Sequence, residues 1–572
     1  MQSIYDIAEI CARKGIDTVV ISPGSRSAPL VLAFSRHPKI EKHVVLDERC
    51  AAYLALGMAL TSGKTVALVC TSGTATLNFA PAVAEAFYLD IPLLILTADR
   101  PPEWIDQADG QTIRQQNLYG SHVKKSFQLP ADYSHPDSVW HINRAVNEAI
   151  NLTQSSVKGP VHINIPLREP LYPSEETPIG YSDVRIIQRT ESYKKVLPSD
   201  WDQMKEEFNH SDRRVLVLGQ QTYSQEFIKE LRIFVEATGT ILIADVLANT
   251  HFLKGDFVRH QDLFLANLLP QQLESLKPDM LITIGGSLIS KHLKLFIRKY
   301  QPEIHWHVGE GDSCPDTFRA LTRHVPVSPF AFLKTANRTA SGFDTERNEV
   351  FSYLWHGADK IIGLKLKEYQ KEIPFSDFSS AFQLIQLLPS NSIFHVANSM
   401  SVRYANFIGL HKAIEVHSNR GTSGIDGCLS TAMGTALKTT KTVTLLIGDL
   451  AFFYDSNAFF QDQIPENLKI VVINNRSGNI FKMIDGPAHL PESEKYFETK
   501  HQRSVQFLVE GFGVKYIQAN EQATLKKNIQ ELFSQPGCAV LEINTNSAQN
   551  VAALKGFSEY LKRASKTVNP NE

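Results

Sequence analysis

The sequence predicts an α/β fold of three domains, each built on a mostly parallel sheet that helices cover on both faces. Short apolar runs rich in β-branched residues alternate with longer helical patterns along the 572 residues. Uninterrupted apolar strands indicate parallel sheets, because crossover helices keep both faces of such sheets away from water. The alternation is typical of the α/β class, and the length suits about three domains.

The apolar runs form three groups along the chain. The first group comprises residues 18–22, 65–71, 92–97 and 161–165. The second comprises residues 214–218, 240–244 and 280–284, and the third comprises residues 392–396, 442–447, 468–474 and 539–543. Two stretches without a strand pattern separate the groups: residues 166–200 contain five prolines, and residues 336–375 are charged. We therefore predict domains at residues 1–180, 190–335 and 370–572.

Composition and charge argue against several classes of protein. Hydrophobic residues make up 43% and charged residues 21% of the chain, an ordinary globular composition. With 58 basic and 60 acidic residues the net charge is −2, so bulk charge predicts no binding to nucleic acid or to a membrane surface. The six cysteines include no C-x-x-C pair, which argues against a zinc site and a disulfide framework. Without a signal peptide or a bilayer-length apolar stretch, the expected location is the cytoplasm.

Two strand ends in the third predicted domain carry side chains suited to a divalent cation. Gly448-Asp449-Leu450 follows the run 442–447, and Asn474-Asn475 closes the run 468–474. Ligands of open parallel sheets bind at the carboxyl ends of the strands. A carboxylate and an amide oxygen are hard ligands for Mg²⁺ or Mn²⁺, and the backbone carbonyl of Ser477 could complete the set. We predict a metal site that holds a diphosphate; the alternative role of Asp449 is to cap the next helix.

This pair of strand ends resembles the cofactor-binding motif of thiamine-diphosphate-dependent enzymes, which usually reads GDG with a terminal NN. The segment DERCAAYLALG at 47–57 is similar to the one that supplies the family's catalytic glutamate, and it precedes an SGT loop at 72–74. Four further segments resemble one branch of the family, the carboligases of menaquinone biosynthesis. They are SPGSRS at 22–27, DRPP at 99–102, GQTIRQ at 110–115 and SNRGTSGIDG at 418–427.

The resemblance implies that the first domain binds the pyrimidine end of thiamine diphosphate and the third domain its diphosphate end. Glu48 is the implied catalytic residue and hydrogen-bonds the aminopyrimidine. The bulky Ile425 is implied to hold the cofactor in a bent form, which brings its own base close to the reactive carbon. The implied cofactor-binding residues are Glu48, Ser72, Gly73, Thr74, Asn398, Ser399, Ile425, Gly448, Asp449, Leu450 and Asn475, and the implied metal ligands are Asp449, Asn475 and Ser477.

The same resemblance implies two dicarboxylate substrates, 2-oxoglutarate and isochorismate. Arginines in loops near strand ends suit bidentate recognition of carboxylates, although any one of them could instead form a surface ion pair. The implied substrate-binding residues are Ser25, Arg26, Arg100, Gln111, Lys291, Ser399, Arg403, Arg420, Ile480 and Phe481. The family often has two basic residues in the central-domain contact where this chain has Lys291-His292, so a role for His292 stays open. Ile480 and Phe481 fit helix packing equally well.

The implied reaction is decarboxylation of 2-oxoglutarate followed by conjugate (Stetter-like) addition of the succinyl-semialdehyde unit to isochorismate. Because the family completes each site across two subunits, we expect a homodimer or a homotetramer. The alternatives are another thiamine-diphosphate-dependent decarboxylase or carboligase, and a non-catalytic binding protein on the same scaffold. A nucleotide site in ALTSGKT at 59–65 is disfavoured by its glycine spacing, and His305 and His307 fit a structural pair better than a metal site.

Overall fold

The computed structural model of the protein describes residues 1–173, 179–221, 223–251, 253, 257–338, 348–410, 412–482 and 489–565. These residues form three sheets, and neighbouring strands run parallel in each of them. Helices cover the sheets, so the predicted α/β class is confirmed. None of the helices in these ranges combines the length and the apolar character that a bilayer-spanning segment needs.

The first sheet has six strands and lies in the N-terminal third of the chain. Its strands are β1 (Thr18–Ile21), β2 (Glu41–Val44), β3 (Val66–Cys70), β4 (Leu93–Asp99), β5 (Ser126–Gln128) and β6 (Val161–Pro166). Their order across the sheet is β2-β1-β3-β4-β6-β5. The helices of this region are α1 (Gln2–Arg13), α2 (Ala28–Arg36), α3 (Glu48–Ser62), α4 (Thr74–Asn78), α5 (Ala80–Tyr88) and α6 (Pro136–Thr153).

The second sheet has five strands in the order β11-β10-β9-β7-β8. The strands are β7 (Arg214–Leu218), β8 (Ile241–Ala244), β9 (Met280–Ile284), β10 (Ile304–Val308) and β11 (Arg323–Val325). The helices are α7 (Pro198–Asn209), α8 (Gln225–Thr238), α9 (Gln261–Leu265), α10 (Pro270–Ser275), α11 (Lys291–Lys299), α12 (Pro329–Arg338) and α13 (Glu349–Tyr369). The Thr283 hydroxyl lies 3.1 Å from His305 Nε2 and from His307 Nδ1, which agrees with a structural role for both histidines.

The third sheet repeats the strand order of the first: β13-β12-β14-β15-β17-β16. Its strands are β12 (Ile393–Val396), β13 (Glu415–His417), β14 (Val443–Gly448), β15 (Leu468–Asn474), β16 (Lys515–Ala519) and β17 (Ala539–Asn544). Its helices are α14 (Asp377–Leu387), α15 (Met400–Ile408), α16 (Cys428–Leu437), α17 (Asp449–Tyr454), α18 (Val505–Gly511), α19 (Gln522–Ser534) and α20 (Ser547–Ser565).

Sequence patterning misses five of the six strands at the sheet edges and finds only β8, which is entirely apolar. β2, β5, β11, β13 and β16 each lie at an edge, and their sequences contain charged or polar residues instead of a continuous apolar run. An edge strand pairs on one side only and is partly exposed, so its sequence need not be uniformly apolar. A continuous apolar run therefore detects strands that are buried on both faces and can miss partly exposed edge strands.

The charged stretch 336–375 is mostly a helix in the structure. α13 spans 21 residues of it and buries Phe351, Trp355, Ile362 and Leu366. These side chains recur at helical spacing, so one face of α13 packs on the core while its charged residues face outward. The segment separates the second and third sheets in sequence but is itself well packed.

Two helices join the first and third sheets within the chain. α3 and α16 cross so closely that a Cβ on Gly57 would lie 2.0 Å from the carbonyl oxygen of Thr431, and one on Gly434 would lie 2.0 Å from that of Leu54. Only glycine leaves room for backbones at this distance. The same packing fixes the start of α3, where Asp47 accepts hydrogen bonds from the backbone N–H groups of Arg49 and Cys50 and leaves Glu48 at the first helical position.

Candidate active site

The ends of β1, β3 and β4 bring together the predicted pyrimidine-side segments. The loop after β1 packs on the loop after β3, where a Cβ on Gly24 would lie 2.3 Å from Thr71 Cβ. The backbone N–H of Gly73 donates to the side-chain oxygen of Gln115 at 2.8 Å, and a Cβ on Gly73 would lie 3.3 Å from Gln111 Cα. The predicted SPGSRS, SGT and GQTIRQ segments therefore form one cluster.

This cluster contains polar atoms that nothing in the described ranges satisfies. The hydroxyls of Ser22, Thr71 and Ser72 are buried without a hydrogen-bond partner. Buried polar groups in folded proteins are normally paired, so three such hydroxyls at converging strand ends indicate a place for a polar ligand. Thr74 begins α4 directly after them, and Ser25 is exposed beside them.

Arg26 and Arg100 are neighbours in this cluster. Arg26 is buried and donates to the carbonyl oxygen of Leu167 at 3.1 Å, while Arg100 pairs with Asp109 at 3.2 Å. Burial lowers the pKa of Arg26, and the nearby charge of Arg100 lowers it further, with partial compensation from Glu169. Two guanidinium groups held this close favour an anion between them.

The Glu48 side chain lies near the same cluster. Its side chain is half-buried and forms no hydrogen bond or ion pair with any residue in the described ranges. Burial raises the pKa of Cys70 well above its usual value, and the charge of Glu48 raises it further, which places the Glu48 carboxyl close to the end of β3. The Glu48 carboxyl is therefore available to bind a group that the described residues do not supply.

The ends of β14 and β15 bring Asp449 and Asn475 to one edge of the third sheet. Asp449 is buried, accepts a hydrogen bond from the backbone N–H of Leu450 at 2.7 Å, and lies 3.1 Å from His501 Nε2. The side-chain oxygen of Asn475 accepts from the backbone N–H of Ser477 at 3.1 Å. The carboxylate and amide oxygens are the donor set that a hard divalent cation needs.

Asp377 is a functional candidate that the sequence reasoning missed. It is buried at the start of α14, and its Oδ2 accepts a hydrogen bond from Asn475 Nδ2 at 2.8 Å. Burial raises the pKa of Asp377 to about 6, the hydrogen bonds from Thr545 and Asn475 oppose this, and the charge of Asp449 adds to it. The contact fixes which way the Asn475 amide points, a role that no local motif around residue 377 announces.

Asn398 organises the loop SNRGTSGIDG. Its Nδ2 donates to the carbonyl oxygens of Asn419 and Gly424, both at 2.6 Å, and its Oδ1 accepts from Arg420 at 3.1 Å. Ser399 follows at the N-cap of α15 with φ of 71°, a left-handed conformation that is costly for a serine and is found at functional sites. Ile425 is 37% exposed, as a residue that contacts a ligand would be.

The first domain also fixes this loop, through residues that the sequence reasoning did not identify. The fully buried Glu85 accepts hydrogen bonds from the backbone N–H groups of Gly421 and Thr422 at 2.8 and 2.7 Å. The hydroxyl of Tyr53 donates to Asp426 at 3.1 Å. Burial raises the pKa of Glu85, and the hydrogen bonds from the loop oppose that rise.

Lys294, one turn beyond the predicted Lys291, lies close enough to Arg403 and Arg420 for their charges to act on it. Its pKa is lowered by burial and by the charges of Arg420 and Arg403, while Asp245 acts in the opposite direction. Lys291 begins α11 and is exposed, and His292 lies one residue on, 3.3 Å from Asp262. Lys291 and Lys294 are three residues apart and therefore lie on the same face of the helix. This helical spacing is the sequence feature that could have identified Lys294.

The apolar residues predicted over the cofactor lie after β15. Ile480 and Phe481 are half-buried in a short helix, Asn479–Lys482, and Phe481 packs against Phe497 with ring centroids 5.7 Å apart. Leu450 and Gly448 border Asp449 and are half-buried. The structure thus gathers two groups of predicted residues, one on each outer domain, and in the described ranges it shows no hydrogen bond or ion pair between Glu48 and the Asp449 group.

Family comparisons agree with this arrangement over most of the chain. The model of the N-terminal thiamine-pyrophosphate-binding domain matches residues 4–119, that of the middle domain matches residues 185–348, and that of the C-terminal binding domain matches residues 398–543. The fold and these matches place the molecule in the class of thiamine-pyrophosphate enzymes, so the predicted resemblance is confirmed.

Curated relatives narrow the class further. The chain is 43% identical to a 2-succinyl-5-enolpyruvyl-6-hydroxy-3-cyclohexene-1-carboxylate synthase from Cytophaga hutchinsonii, covering 99% of the chain and 100% of that relative. Proteins of the same name from Porphyromonas gingivalis and Flavobacterium johnsoniae are 38% and 37% identical, covering 98% and 97% of the chain and 98% of each relative. The chain belongs to the 2-succinyl-5-enolpyruvyl-6-hydroxy-3-cyclohexene-1-carboxylate synthase family.

Proposed function

We propose that the protein is a 2-succinyl-5-enolpyruvyl-6-hydroxy-3-cyclohexene-1-carboxylate synthase that uses 2-oxoglutarate and isochorismate in menaquinone biosynthesis. The observation that carries the proposal is the proximity of arginines in two pairs, Arg26 with Arg100 and Arg403 with Arg420, within the two groups of residues predicted to hold thiamine pyrophosphate. Two dicarboxylate substrates require such cations, and arginine recognises a carboxylate through two parallel hydrogen bonds.

The residues present fit the cofactor and a divalent cation. Asp449, Asn475 and the carbonyl of Ser477 would hold Mg²⁺ or Mn²⁺ against the diphosphate. The unpaired hydroxyl of Ser72 and the loop through Thr74 would face the pyrimidine end. When bound, thiamine diphosphate supplies a nucleophilic carbon and an electron sink.

Glu48 would hydrogen-bond N1′ of the aminopyrimidine and hold or release a proton at that atom. Support comes from its freedom from hydrogen bonds to the described residues and from its place beside the buried end of β3. General acid–base residues that act in this way accelerate reactions by about 10²–10⁴-fold. Ile425 would hold the cofactor in its reactive form through apolar contact.

The substrates would lie between the cationic groups. Arg26 and Arg100, with Ser25 and Gln111 as neutral hydrogen-bonding partners, would bind isochorismate, and their charge would stabilise the enolate that develops when its ring alkene is attacked. On the opposite side, Ser399, Arg403 and Arg420 would bind 2-oxoglutarate. Lys291 or Lys294 would add charge from the central domain, and Ile480 and Phe481 would exclude water.

We also propose a homodimer, or a dimer of dimers, in which Glu48 of one protomer completes the Asp449 group of the other. Apolar side chains beside Glu48 support this arrangement: Val44, Leu46 and Leu77 are 51%, 55% and 45% exposed in the single chain. Large exposed apolar groups around an incomplete site are typical of surfaces that a second subunit covers. We also propose that the chain comprises three domains, at residues 1–180, 190–335 and 370–572.

The proposal is tested by following isochorismate consumption spectroscopically while 2-oxoglutarate, thiamine diphosphate and the divalent cation are each omitted in turn. Glu48→Gln should reduce turnover by about 10²–10⁴-fold because an amide cannot take up or release a proton in place of the carboxyl group. Glu349→Gln is the matched control, since Glu349 also occupies the first position of a helix but lies in α13. Consumption of isochorismate without the cofactor, or full turnover by Glu48→Gln, would refute the proposal.

A further inference from the structure

A cleft outside the candidate active site lies where the central and third domains meet α13. Its volume is about 400 Å³, which accommodates a small organic molecule. α13 forms one wall, Arg259 and His260 ahead of α9 form the second, and the end of α15 forms the third together with Gly409, Leu410, Lys412 and Ile414. None of the residues that we assign to the cofactor or to the two substrates lines this cleft.

The inner part of the cleft is apolar. The lining residues there are buried and come from α14, from the end of α15 and just beyond it, and from the position before β13: Phe382, Ile385, Ile408, Leu410 and Ile414. Apolar area removed from water contributes about 25 cal/mol per Å². This surface therefore favours a ring or a short hydrocarbon chain over a polar ligand.

The mouth of the cleft is positively charged. α13 presents Lys360, Leu364 and Lys367 to it, at the spacing that puts side chains on one face of a helix. Both lysines are exposed, and neither forms an ion pair or a side-chain hydrogen bond with the residues that the structure describes. Two unpaired ammonium groups at the entrance of an apolar cleft favour a ligand with an anionic end.

The cleft is also lined by two further cationic residues, Lys412 and Arg259, and by one acidic residue, Asp359. The Lys412 ammonium donates to the carbonyl oxygens of Gln386 and Leu388, both at 2.8 Å, and so retains one of its three protons for a ligand. Arg259 stands on the opposite wall. Asp359 is the acid, and its Oδ1 accepts the backbone N–H groups of Arg259 and His260 at 2.8 and 2.6 Å, so part of its hydrogen-bonding capacity is already used.

Gly363, in the middle of α13, leaves room for the cleft because it has no side chain. A Cβ on Gly363 would lie 3.4 Å from His260 Nε2, so any larger side chain at this position would project into the cleft or displace the imidazole. Glycine in a helix interior costs roughly 0.5–1 kcal/mol relative to alanine. The ring of His260 is held by its Nδ1, which donates to the carbonyl oxygen of Phe407 at 3.1 Å.

We propose that this cleft binds a small organic anion in which a carboxylate is attached to an apolar ring. The ring would occupy the apolar inner surface, and the carboxylate would face Lys360, Lys367 and the free proton of Lys412. The site would contact the last turn of α15, the helix whose N-cap is Ser399 and whose first turn contains Arg403. The proposal does not depend on the proposed enzymatic function, because it uses no residue of the candidate active site.

The test is ligand-observed NMR with the full chain, loaded with thiamine diphosphate and Mg²⁺. The probe is 3-phenylpropanoate, and 3-phenylpropanamide has the same shape without the charge. For a ligand of this size we expect a Kd of about 1 mM for the carboxylate and at least about tenfold weaker binding of the amide. Equal binding of acid and amide, or no saturable binding of the acid, would overturn the proposal.

Variants then locate the bound probe. Lys360→Glu combined with Lys367→Glu should weaken binding by at least about tenfold, because two attractive charges become repulsive. Lys526→Glu with Lys527→Glu makes the same charge change on the exposed face of α19 and should leave binding unchanged. Gly363→Leu should block binding without any change in charge.

The candidate active site supplies the remaining control. Arg420→Ala should leave probe binding unchanged, because Arg420 lies outside the cleft. Loss of binding in Arg420→Ala with retention in the α13 variants would assign the probe to the active site and refute the cleft. Thermal unfolding followed by circular dichroism verifies that each variant is folded.

Discussion

Asp455 lies in a buried network between the first and third domains, and its replacement by asparagine should change how stability depends on pH. Its carboxylate accepts the backbone N–H of Ser430 at 2.7 Å and the Ser430 hydroxyl at 2.8 Å. The Cys50 thiol donates to it at 3.6 Å, and the Arg49 guanidinium lies 3.9 Å away. Burial raises the pKa of Asp455 from 3.8 to about 7, and these hydrogen bonds and the Arg49 charge only partly oppose that rise.

The raised pKa means that the folded chain holds a proton which the unfolded chain releases. Between about pH 4 and about pH 7 the unfolded state has lost this proton while the folded state keeps it, so the free energy of unfolding decreases as pH rises. At 1.36 kcal/mol per pKa unit the full effect is about 4 kcal/mol. The part that falls between about pH 5 and about pH 8 is about 2.5 kcal/mol.

Asparagine resembles the protonated form, because its oxygen can accept from the Ser430 N–H and its amide can donate to the Ser430 hydroxyl. We expect Asp455→Asn to be more stable than the wild type, with a difference that grows by about 2.5 kcal/mol between about pH 5 and about pH 8. The assay is urea unfolding across this range, followed by circular dichroism. Asp462→Asn, at an exposed position, is the control. A stability difference between Asp455→Asn and the wild type that stays constant with pH would refute the reasoning.

Three further changes test the packing, the metal site and the substrate site. Gly57→Ala should lower the free energy of unfolding by about 1–3 kcal/mol, since its Cβ would meet a backbone carbonyl at 2.0 Å, whereas Gly511→Ala, with no neighbour within 4 Å, should have little effect. Asp377→Ala should weaken Mg²⁺ binding, measured by calorimetry with thiamine diphosphate present, by about 10–100-fold, because the Asn475 amide loses its acceptor; unchanged affinity contradicts this. Arg100→Lys should raise the KM for isochorismate by about tenfold or more, because lysine lacks the bidentate fork; an unchanged KM in steady-state assays would remove Arg100 from the site.

The sequence was most informative where a residue's role follows from its position on a strand. β3, β4, β14 and β15 are buried on both faces, so their sequences had to be continuously apolar, and their ends are evident from the chain itself. Parallel strands end at the same edge of a sheet, so strand position alone is enough to pair Asp449 with Asn475.

Tertiary structure decided the contacts between residues that are remote in sequence. Asp377 meets Asn475, Glu85 holds the loop at Gly421, and the cleft beside α13 exists only because two domains close on that helix. No local pattern encodes such contacts, since helical and strand periodicity specify which face of an element is buried but not which partner it meets. Sequence therefore determined the class of fold and the strand-end members of the candidate site, while packing between domains determined the residues that orient them.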